Sequence, residues 1–438
     1  MDKINGLNII HVSRTNGKES VCAFTSSFLK TYGQIRQRPR TIRLYTSPHI
    51  QSVRDRIQIN NRPISASLFS KRFFEVWDKL PREASAELDV PRYLQLLALL
   101  SYHVFICERV DVAIYETHLG GEYDSTNIVT SPLATAITTV AEDHMHLLGP
   151  TIETIAWHKS GIFKSGTPAF SSPQSELVAD VLRQRAADKS VTLEFVEFET
   201  TLEGITYSWL PDVQKMNCSL ALALANTYMR QTTDEAYTPI EITKLLAACE
   251  TPPWPGRFHC IHVDGLKLYI DGAHNESGIV HAVDWFANAI SKNVSHVPTR
   301  TLIFSQFSQR DGNKLLTCVV NCLQEHKVSI HNVIFTSYNE RKDGTQRIGC
   351  FAPSLSTCYA NSPQDKNLQN RYDPEVLKRY QKTWKDLGEQ GTVSNFDTIE
   401  EALEKAKELG RRDGGSEALV LGSLKLVEGI LYIIERSE

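Results

Sequence analysis

The chain has 438 residues, of which 22% are charged, and a formal net charge of −4. This length is ample for two hydrophobic cores, so we expect two domains. The nearly balanced charge gives no electrostatic reason to expect nucleic acid or a membrane surface as a partner, and small molecules are the expected ligands.

The cysteines and the apolar segments indicate a compartment. The nine cysteines include no CxxC pair, and their odd number argues against a disulfide framework. The most apolar window, Tyr93 to Cys107, is interrupted by Ser101 and His103 and is too short to span a bilayer. We therefore expect a soluble, cytoplasmic protein, with a mitochondrial form left open because a targeting segment can be removed.

The chain opens with the pattern of a strand, a turn and a helix. Leu7 to Val12 is typical of a buried strand, Thr15-Asn16-Gly17 is typical of a tight turn, and from Lys18 onward apolar residues recur at helical spacing. At such a junction the backbone N–H groups face an anion, and Lys18 can reach the terminal phosphates of a nucleotide. The alternative is a plain helix N-terminus, because the spacing is one residue short of a Walker motif.

Two residues of this loop are unusual for a phosphate site. Arg14 stands where such a loop opens with glycine, and Glu19 follows the lysine where a small residue is expected. A carboxylate within about 5 Å of a phosphate weakens binding by on the order of a few kcal/mol at intermediate dielectric unless a cation compensates. We hypothesise that Arg14 is that cation, in which case Arg14→Gly lowers nucleotide affinity.

Strand-like and helical segments alternate through the first half, which predicts a largely parallel sheet covered by helices. The other predicted strands are Arg40 to Thr46, Asp111 to Glu116, Leu133 to Val140 and Val191 to Val196. The predicted helices are Ser67 to Leu80, Arg92 to Cys107, Glu176 to Ala187, Asn217 to Arg230 and Ile240 to Ala248.

A proline-rich segment separates the two halves. Thr251-Pro252-Pro253-Trp254-Pro255-Gly256 predicts an interdomain linker, so we divide the chain into residues 1–250, a linker at 251–257 and residues 258–438. The strands predicted after it are Leu266 to Ile270, Arg300 to Phe304, Asn332 to Phe335 and Ala418 to Leu421. The helices are Ser277 to Ser291, Lys314 to Glu325, Pro374 to Leu387, Thr398 to Glu408 and Lys425 to Ile434. Residues 337–373 are polar and non-periodic, and we expect a long surface loop there.

Polar side chains follow the predicted strands. Ligands of open parallel sheets bind at the carboxyl ends of the strands, where Ser47, Glu116 and His144 are found. A hydroxyl, a carboxylate and an imidazole beside a phosphate loop suit Mg²⁺ that bridges phosphate oxygens. Taken singly, each has an alternative: Ser47 caps a turn, Glu116 pairs with a lysine, and His144 lies on the surface or caps a helix.

The second half has a similar turn. Asp271 to Asn275, DGAHN, directly follows a predicted strand and precedes a helix, which suits contact with a nucleotide or substrate. The alternative is a well-capped helix start. The planar guanidinium of Arg257, just after the linker, suits a phosphate, or else it connects the domains.

These segments together resemble the folylpolyglutamate synthases of the Mur ligase superfamily. The resemblance spans nearly the whole chain and rests on HVSRTNGKES, TSPHIQSVRDRIQIN, ETHLGGEYDSTN, EDHMHLLG, HKSGIFK, WPGRF, DGAHNESG and LVLGSLKLVEG, in the expected order. It implies a central ATPase domain at 1–250 and a Rossmann-like C-terminal domain at 258–438 that closes on it. It also implies that a substrate carboxylate attacks the γ-phosphate of ATP, and that an amine converts the resulting acyl phosphate to an amide.

The resemblance also implies roles for individual residues. The implied ATP-binding residues are Thr15, Asn16, Gly17, Lys18, Ser20, Asn127, Arg257, Asp271 and His274, and the implied magnesium ligands are Ser47, Glu116 and His144. The implied catalytic residues are Lys18, Lys159 and His274. Lys159 occupies the position of a lysine that is carbamylated in several superfamily members and supports a second magnesium; the alternative is an ordinary exposed lysine.

The chain also departs from the family pattern. The family loop reads close to GTxGKGS, but its first and last glycines are here Arg14 and Glu19, and the family GGR is here Gly120-Gly121-Glu122. Two of these changes are expected to add negative charge near the nucleotide. The chain begins almost at the phosphate loop, whereas family members have a further helical segment before it, so an upstream segment missing from the sequence is one expectation.

Three functions are compatible with these observations. The first is an ATP- and Mg²⁺-dependent ligase, expected to be a monomer, that adds L-glutamate to a folate γ-carboxylate. The second is a diverged ligase that joins an amino acid to another carboxylic acid in specialised metabolism. The third is a non-catalytic family member, against which the retained Lys18, Glu116, His144, Lys159 and Asp271 argue.

Overall fold

The structure is a computed structural model that describes residues 2–13, 15–80, 91–205, 207, 210–232, 241–247, 254–290, 298–308, 310–345, 373–412 and 415–436. Of these, the residues up to Ile205 and those from Asp212 to Trp254 form one compact unit, and those from Pro255 onward form a second. None of the described helices is long and apolar enough to cross a membrane.

The first unit is an α/β structure, as the alternating pattern predicted. Its strands are β1 (Ile9–Ser13), β2 (Ile42–Tyr45), β3 (Ile57–Ile59), β4 (Arg62–Pro63), β5 (Val112–Glu116), β6 (Ala134–Ile137), β7 (Ala169–Ser171) and β8 (Leu193–Phe195). Its helices are α1 (Asp2–Asn5), α2 (Lys18–Arg36), α3 (Ala66–Trp77), α4 (Tyr93–Cys107), α5 (Met145–Leu148), α6 (Ile152–Lys159), α7 (Glu176–Asp188), α8 (Asp212–Thr232) and α9 (Ile242–Ala247).

These strands form one sheet in the order β4-β3-β2-β5-β1-β6-β7-β8. β3 and β4 run antiparallel to their neighbours, and the other pairs are parallel. Every residue of β1 is buried, as expected for a strand covered on both faces. Because β1 lies between β5 and β6, the phosphate loop that follows β1 has a neighbouring strand end on each side.

The second unit is also α/β. Its strands are β9 (His259–Val263), β10 (Leu266–Ile270), β11 (Thr299–Phe304), β12 (Asn332–Thr336), β13 (Thr392–Phe396) and β14 (Ser416–Leu421), in the order β13-β12-β11-β14-β10-β9. Its helices are α10 (Glu276–Ile290), α11 (Gly312–Glu325), α12 (Pro374–Asp386), α13 (Ile399–Arg412) and α14 (Leu424–Glu435). Only the described edge strand β9 is antiparallel to its neighbour.

The differences from the predicted elements are several short strands and the helices α1, α5 and α6, none of which was predicted. The prediction missed β3, β4, β7, β9 and β13, which have five residues or fewer. The first strand begins at Ile9 rather than Leu7, because Asn8 has a φ of 48°. The linker residues 251–253 and most of the predicted loop at 337–373 lie outside the described residues.

Candidate functional site

The predicted strand, turn and helix of the phosphate loop are present. β1 ends at Ser13, and α2 begins at Lys18 after Gly17, whose φ of 89° suits glycine. Thr15 fastens the loop to the segment after β6: its Oγ1 donates to the Ala141 carbonyl at 2.8 Å and accepts from the Ala141 N–H at 3.0 Å. The positive end of a 19-residue helix therefore lies at the carboxyl edge of the sheet, as an anion site requires.

Lys18 lies against the end of β5. Its Nζ donates to the carbonyls of Thr117 at 2.6 Å and His118 at 3.1 Å, and it lies 3.1 Å from Oε1 of Glu116. The side chain is 9% exposed. The alternative reading of Glu116, a pair with a lysine, is thus present in the structure, and the lysine is the predicted phosphate ligand itself.

Glu116 ends β5, and Ser47 lies just after the neighbouring strand β2. β2 and β5 pair in register through Tyr45 and Tyr115, and the Thr46 hydroxyl donates to Oε2 of the fully buried Glu116. A carboxylate and a hydroxyl at adjacent strand ends are oxygen donors of the kind Mg²⁺ prefers. The residues present therefore fit the predicted metal.

Arg56 orients Ser47, and sequence analysis missed it. Its guanidinium is buried, with 2% exposure, and donates from Nη1 to Ser47 Oγ at 2.8 Å and from Nε to His49 Nδ1 at 3.0 Å. Both partners precede it by nine residues or fewer within one loop. The rigid planar fork of arginine suits such a two-partner contact.

His144 lies on the other side of β1, in the segment that follows β6. It is the N-cap residue of α5, with φ 52°, and its Nε2 lies 3.6 Å from Oδ2 of Asp143. Its side chain makes no capping hydrogen bond to α5, so the helix-capping alternative is not supported. Its role as a metal ligand stays a prediction.

Lys159 is buried, so the alternative of an ordinary exposed lysine is wrong. It ends α6 with 3% exposure. Two glycines allow this close packing: a Cβ on Gly121 would lie 2.5 Å from the Lys159 carbonyl, and one on Gly161 would lie 2.2 Å from Cα of Glu122. The loop after β5 thus packs directly on the end of α6.

Two cations neutralise Glu122: Arg185, which lies in α7, and Lys189, which directly follows α7. Oε2 of Glu122 pairs with Nη2 of Arg185 and lies 3.3 Å from Nζ of Lys189. The expectation that Glu122 adds negative charge near the nucleotide took no account of these partners, and the structure corrects it. Asn127, a predicted ATP ligand, donates to the carbonyls of Glu122 at 3.2 Å and Gly161 at 3.3 Å, which braces the same loop.

The other unusual loop residue, Glu19, lies in the first turn of α2 and is buried. The helix dipole favours a carboxylate at that position. Arg14, its hypothesised partner, lies outside the described residues.

A buried polar network supports the carbonyls that hold Lys18. His118 Nε2 lies 2.6 Å from the Tyr45 hydroxyl, and its Nδ1 lies 3.1 Å from Ser125 Oγ and 3.6 Å from Oδ1 of Asp124. Burial lowers the pKa of His118 to about 4, against the opposing effect of Asp124, so the imidazole is neutral at physiological pH. Sequence analysis missed this network, whose signal was the run of polar residues after β5.

Residues of α8 cover the phosphate loop, and these were also missed. Gln214 Nε2 donates to Ser20 Oγ at 3.0 Å, and Asn217 Nδ2 donates to Gln214 Oε1 at 2.9 Å. A Cβ on Gly17 would lie 2.6 Å from Oδ1 of Asn217. No local pattern marks these residues, which the sequence shows only as one end of an amphipathic helix.

In the second unit the three predicted residues lie around the end of β10. Asp271 accepts from the Phe258 N–H at 2.9 Å, and its Oδ1 lies 3.8 Å from Nη1 of Arg257. His274 Nδ1 lies 2.8 Å from the Gly272 carbonyl. The structure thus brings Arg257, Asp271 and His274 to one strand end, which a polar site requires.

Comparisons with known proteins show which sequences and folds the chain is similar to. The chain is 35% identical over 457 residues to a protein of Neurospora crassa named folylpolyglutamate synthase, covering 99% of this chain and 83% of that protein. Its fold matches a Mycobacterium tuberculosis folylpolyglutamate synthase complexed with ADP and AMPPCP, with a TM-score of 0.74, 19% identity and coverage of 98% and 92%. It also matches a bifunctional folylpolyglutamate synthase/dihydrofolate synthase of Yersinia pestis complexed with AMPPNP and Mn ion, with a TM-score of 0.69, 21% identity and coverage of 99% and 90%. No protein-family model matches the chain.

Proposed function

The chain belongs to the folylpolyglutamate synthase family, of the Mur ligase fold, and we infer from this membership and from its site what it catalyses. It is an ATP-dependent carboxylate–amine ligase that adds L-glutamate to the γ-carboxylate of a folate. The observation that carries this conclusion is the Lys18 ammonium 3.1 Å from Glu116 at the start of α2. That arrangement supplies a phosphate ligand beside a carboxylate that suits a divalent metal.

The reaction proceeds in two steps. A folate carboxylate oxygen attacks the γ-phosphorus of ATP, the bond to the β–γ bridging oxygen breaks, and ADP leaves. The glutamate amine then attacks the acyl carbon of the acyl phosphate, phosphate leaves, and the amine proton passes to a base or to solvent. Phosphoryl transfer of this kind depends on positioning and charge neutralisation more than on covalent help from the protein.

Lys18 and the amides of the loop hold the phosphates. On nucleotide binding the ammonium exchanges its carbonyl partners after β5 for β- and γ-phosphate oxygens, and the amides at the start of α2 receive the remaining charge. Thr15, Asn16, Gly17 and Ser20 shape this loop.

Glu116 and Ser47 are the proposed metal ligands, with His144 as the third. Mg²⁺ supplies charge neutralisation on the transferred phosphoryl group. Thr46 orients the Glu116 carboxylate, and Arg56 orients the Ser47 hydroxyl. We propose that Lys159 supports a second metal ion in carbamylated form, which its burial beside the Gly120–Glu122 loop favours.

The remaining predicted roles are part of the same proposal. The ATP-binding domain comprises residues 1–250, the linker 251–257 and the C-terminal domain 258–438. Arg257, Asp271 and His274 contact ATP from the C-terminal domain, and Asn127 contributes from the first by ordering the loop after β5. The working form is a cytoplasmic monomer.

Phosphate release tests the function. Purified protein is assayed with ATP, Mg²⁺ and glutamate, with and without tetrahydrofolate, beside a Lys18→Ala variant. We expect release that tetrahydrofolate stimulates and that Lys18→Ala abolishes. Release with another acid but not with folate would support a diverged ligase, and no release together with no ATP binding would support a non-catalytic relative.

A further inference from the structure

Three side chains outside the nucleotide site meet between α3 and α4. His103 Nε2 lies 2.7 Å from Oε2 of Glu75, and the two ring nitrogens of His103 lie 3.8 and 3.9 Å from Sγ of Cys107. The three ligand atoms lie within 4.8 Å of one another. Within the described part of the chain, no other group of three or more His, Cys, Asp or Glu side chains is arranged in this way.

The two helices determine this spacing. His103 and Cys107 are four residues apart on α4 and therefore share one face of the helix. Glu75 comes from the last turns of α3, where Phe73 and Val76 pack on the apolar core that α4 contributes to. The backbone positions of the three residues are thus set by packing that does not involve their polar atoms.

We propose that Glu75, His103 and Cys107 bind a Zn²⁺ ion, with water at the fourth position. A carboxylate, an imidazole and a thiolate are the ligand types that zinc takes. In a tetrahedral site with metal–ligand bonds of about 2.0 to 2.3 Å, the nitrogen and sulfur ligands lie about 3.6 Å apart, and the nitrogen and oxygen ligands about 3.4 Å apart. The His103–Cys107 separation of 3.8 Å already suits this geometry.

Glu75 is the ligand that moves. Its Oε2 is hydrogen-bonded to His103 at 2.7 Å, so it opens by about 0.7 Å to reach the tetrahedral separation, and the metal replaces the hydrogen bond. On binding, the thiol proton of Cys107 passes to solvent, and the proton that His103 Nε2 donates to Glu75 is lost from Nε2 while Nδ1 takes up a proton from solvent, so that the Nε2 lone pair faces the metal. Cys107 is exposed, so the ion has a path to the site.

The charges around the site match a divalent cation. Arg72 donates from Nη1 to both oxygens of Glu75, at 2.8 and 3.0 Å, and from Nη2 to Glu108 at 2.9 Å. The site then carries three negative charges, on Glu75, Glu108 and the Cys107 thiolate, and one positive charge, on Arg72. One Zn²⁺ neutralises the two negative charges that remain. The two hydrogen bonds from Arg72 Nη1 fix the orientation of the Glu75 carboxylate. A ligating carboxylate is commonly fixed by such an outer hydrogen bond.

The donor set separates this site from the magnesium site of the ligase. Thiolate and imidazole ligands favour zinc, whereas carboxylate, hydroxyl and water favour magnesium. The ion would join the end of α3 to the end of α4. This zinc proposal does not depend on the function proposed above. We expect Zn²⁺ to raise the unfolding temperature of the protein, and Mg²⁺ not to displace it.

Metal titration tests the site. Chelator-treated protein is titrated with ZnCl₂ by calorimetry and with CoCl₂ by absorption, in the presence of excess Mg²⁺. We expect one ion per chain, a thiolate-to-cobalt absorption band that Cys107→Ser removes, and at least tenfold weaker binding in His103→Gln and Glu75→Gln. Cys318→Ser, which changes a cysteine of the second unit, is the matched control and should bind normally.

Alkylation of the unaltered protein gives an independent readout. Bound Zn²⁺ should slow the modification of Cys107 by iodoacetamide, as located by mass spectrometry, without slowing that of Cys318. Failure to take up one ion per chain, a cobalt band that survives Cys107→Ser, or unprotected alkylation at saturating Zn²⁺ would each overturn the proposal.

Discussion

Gly17 is the residue at which a single methyl group should disturb the phosphate loop. In Gly17→Ala the new Cβ would lie 2.6 Å from Oδ1 and 3.1 Å from Nδ2 of Asn217, at a φ of 89°. The left-handed backbone costs a non-glycine residue about 1–2 kcal/mol. Asn217 must also move, which breaks its hydrogen bond to Gln214 at a cost of about 1 kcal/mol.

We therefore expect Gly17→Ala to lower the free energy of unfolding by about 2–3 kcal/mol. The strained backbone at residue 17 should also displace the amides at the start of α2. We therefore expect ATP to bind at least tenfold more weakly, which corresponds to about 1.4 kcal/mol. Urea denaturation measures the first effect, and calorimetric titration with ATP and Mg²⁺ measures the second.

Gly166→Ala is the matched control. Gly166 also has a positive φ, of 75°, but a Cβ there would meet no atom within 4 Å. It should lose about 1–2 kcal/mol of stability and keep its ATP affinity. In the double variant Gly17→Ala/Asn217→Ala, the clash is absent, so the combined loss of stability should fall short of the sum by about 1 kcal/mol. Unchanged ATP binding by Gly17→Ala would refute the placement of the nucleotide at this loop.

Three further changes test other parts of the site. The pKa of His118 is lowered to about 4 from an unfolded value near 6.5, so the unfolded chain binds more protons between these values, and stability should fall as pH falls from about 6.5 to 4. His118→Gln should reduce the slope of stability against pH by on the order of 1 kcal/mol per pH unit. Urea titrations at several pH values measure this slope. Glu122→Gln and Arg185→Gln should each destabilise the protein, with a coupling of roughly 1 kcal/mol in a double-mutant cycle, because the pair is only partly exposed. Arg56→Lys loses the two-pronged contact with Ser47 and should raise the Mg²⁺ concentration for half-maximal activity several-fold.

The first two of these predictions have a control variant, and each of the three has a contradicting outcome. His262→Gln and Glu203→Gln change exposed residues and should leave the pH dependence and the stability unchanged. If stability fell as steeply with falling pH in His118→Gln as in the unaltered protein, the buried neutral imidazole would be contradicted. Additive losses in the cycle would mean that Glu122 and Arg185 do not interact, and an unchanged Mg²⁺ requirement in Arg56→Lys would remove Ser47 from the metal site.

Local patterns predicted the strand and the helix around Lys18, but not α5 and α6, which position His144 and Lys159. The helix from Lys18 and the strand before it are long enough to show their periodicity, and α4 was predicted within one residue of its start. The strands β7 and β13 were missed because three to five residues show no reliable alternation, and neighbouring strands determine their conformation.

The candidate site was predictable only where its residues follow strands. Ser47 and Glu116 were found because β2 and β5 end beside each other, which follows from a parallel sheet. Gln214 was missed because it meets Ser20 across 194 residues of sequence, and Arg185 because it meets Glu122 across 63. Such contacts depend on how helices pack on the sheet, which spacing in one sequence does not report.

The folate product of the reaction tests the central claim most directly. The protein is incubated with tetrahydrofolate, L-glutamate, ATP and Mg²⁺, and the folates are separated and identified by mass spectrometry while ADP is measured in parallel. The account predicts a folate that has gained one glutamyl residue for each ADP formed, and none in Lys18→Ala. ADP formed without any glutamylated folate would contradict it.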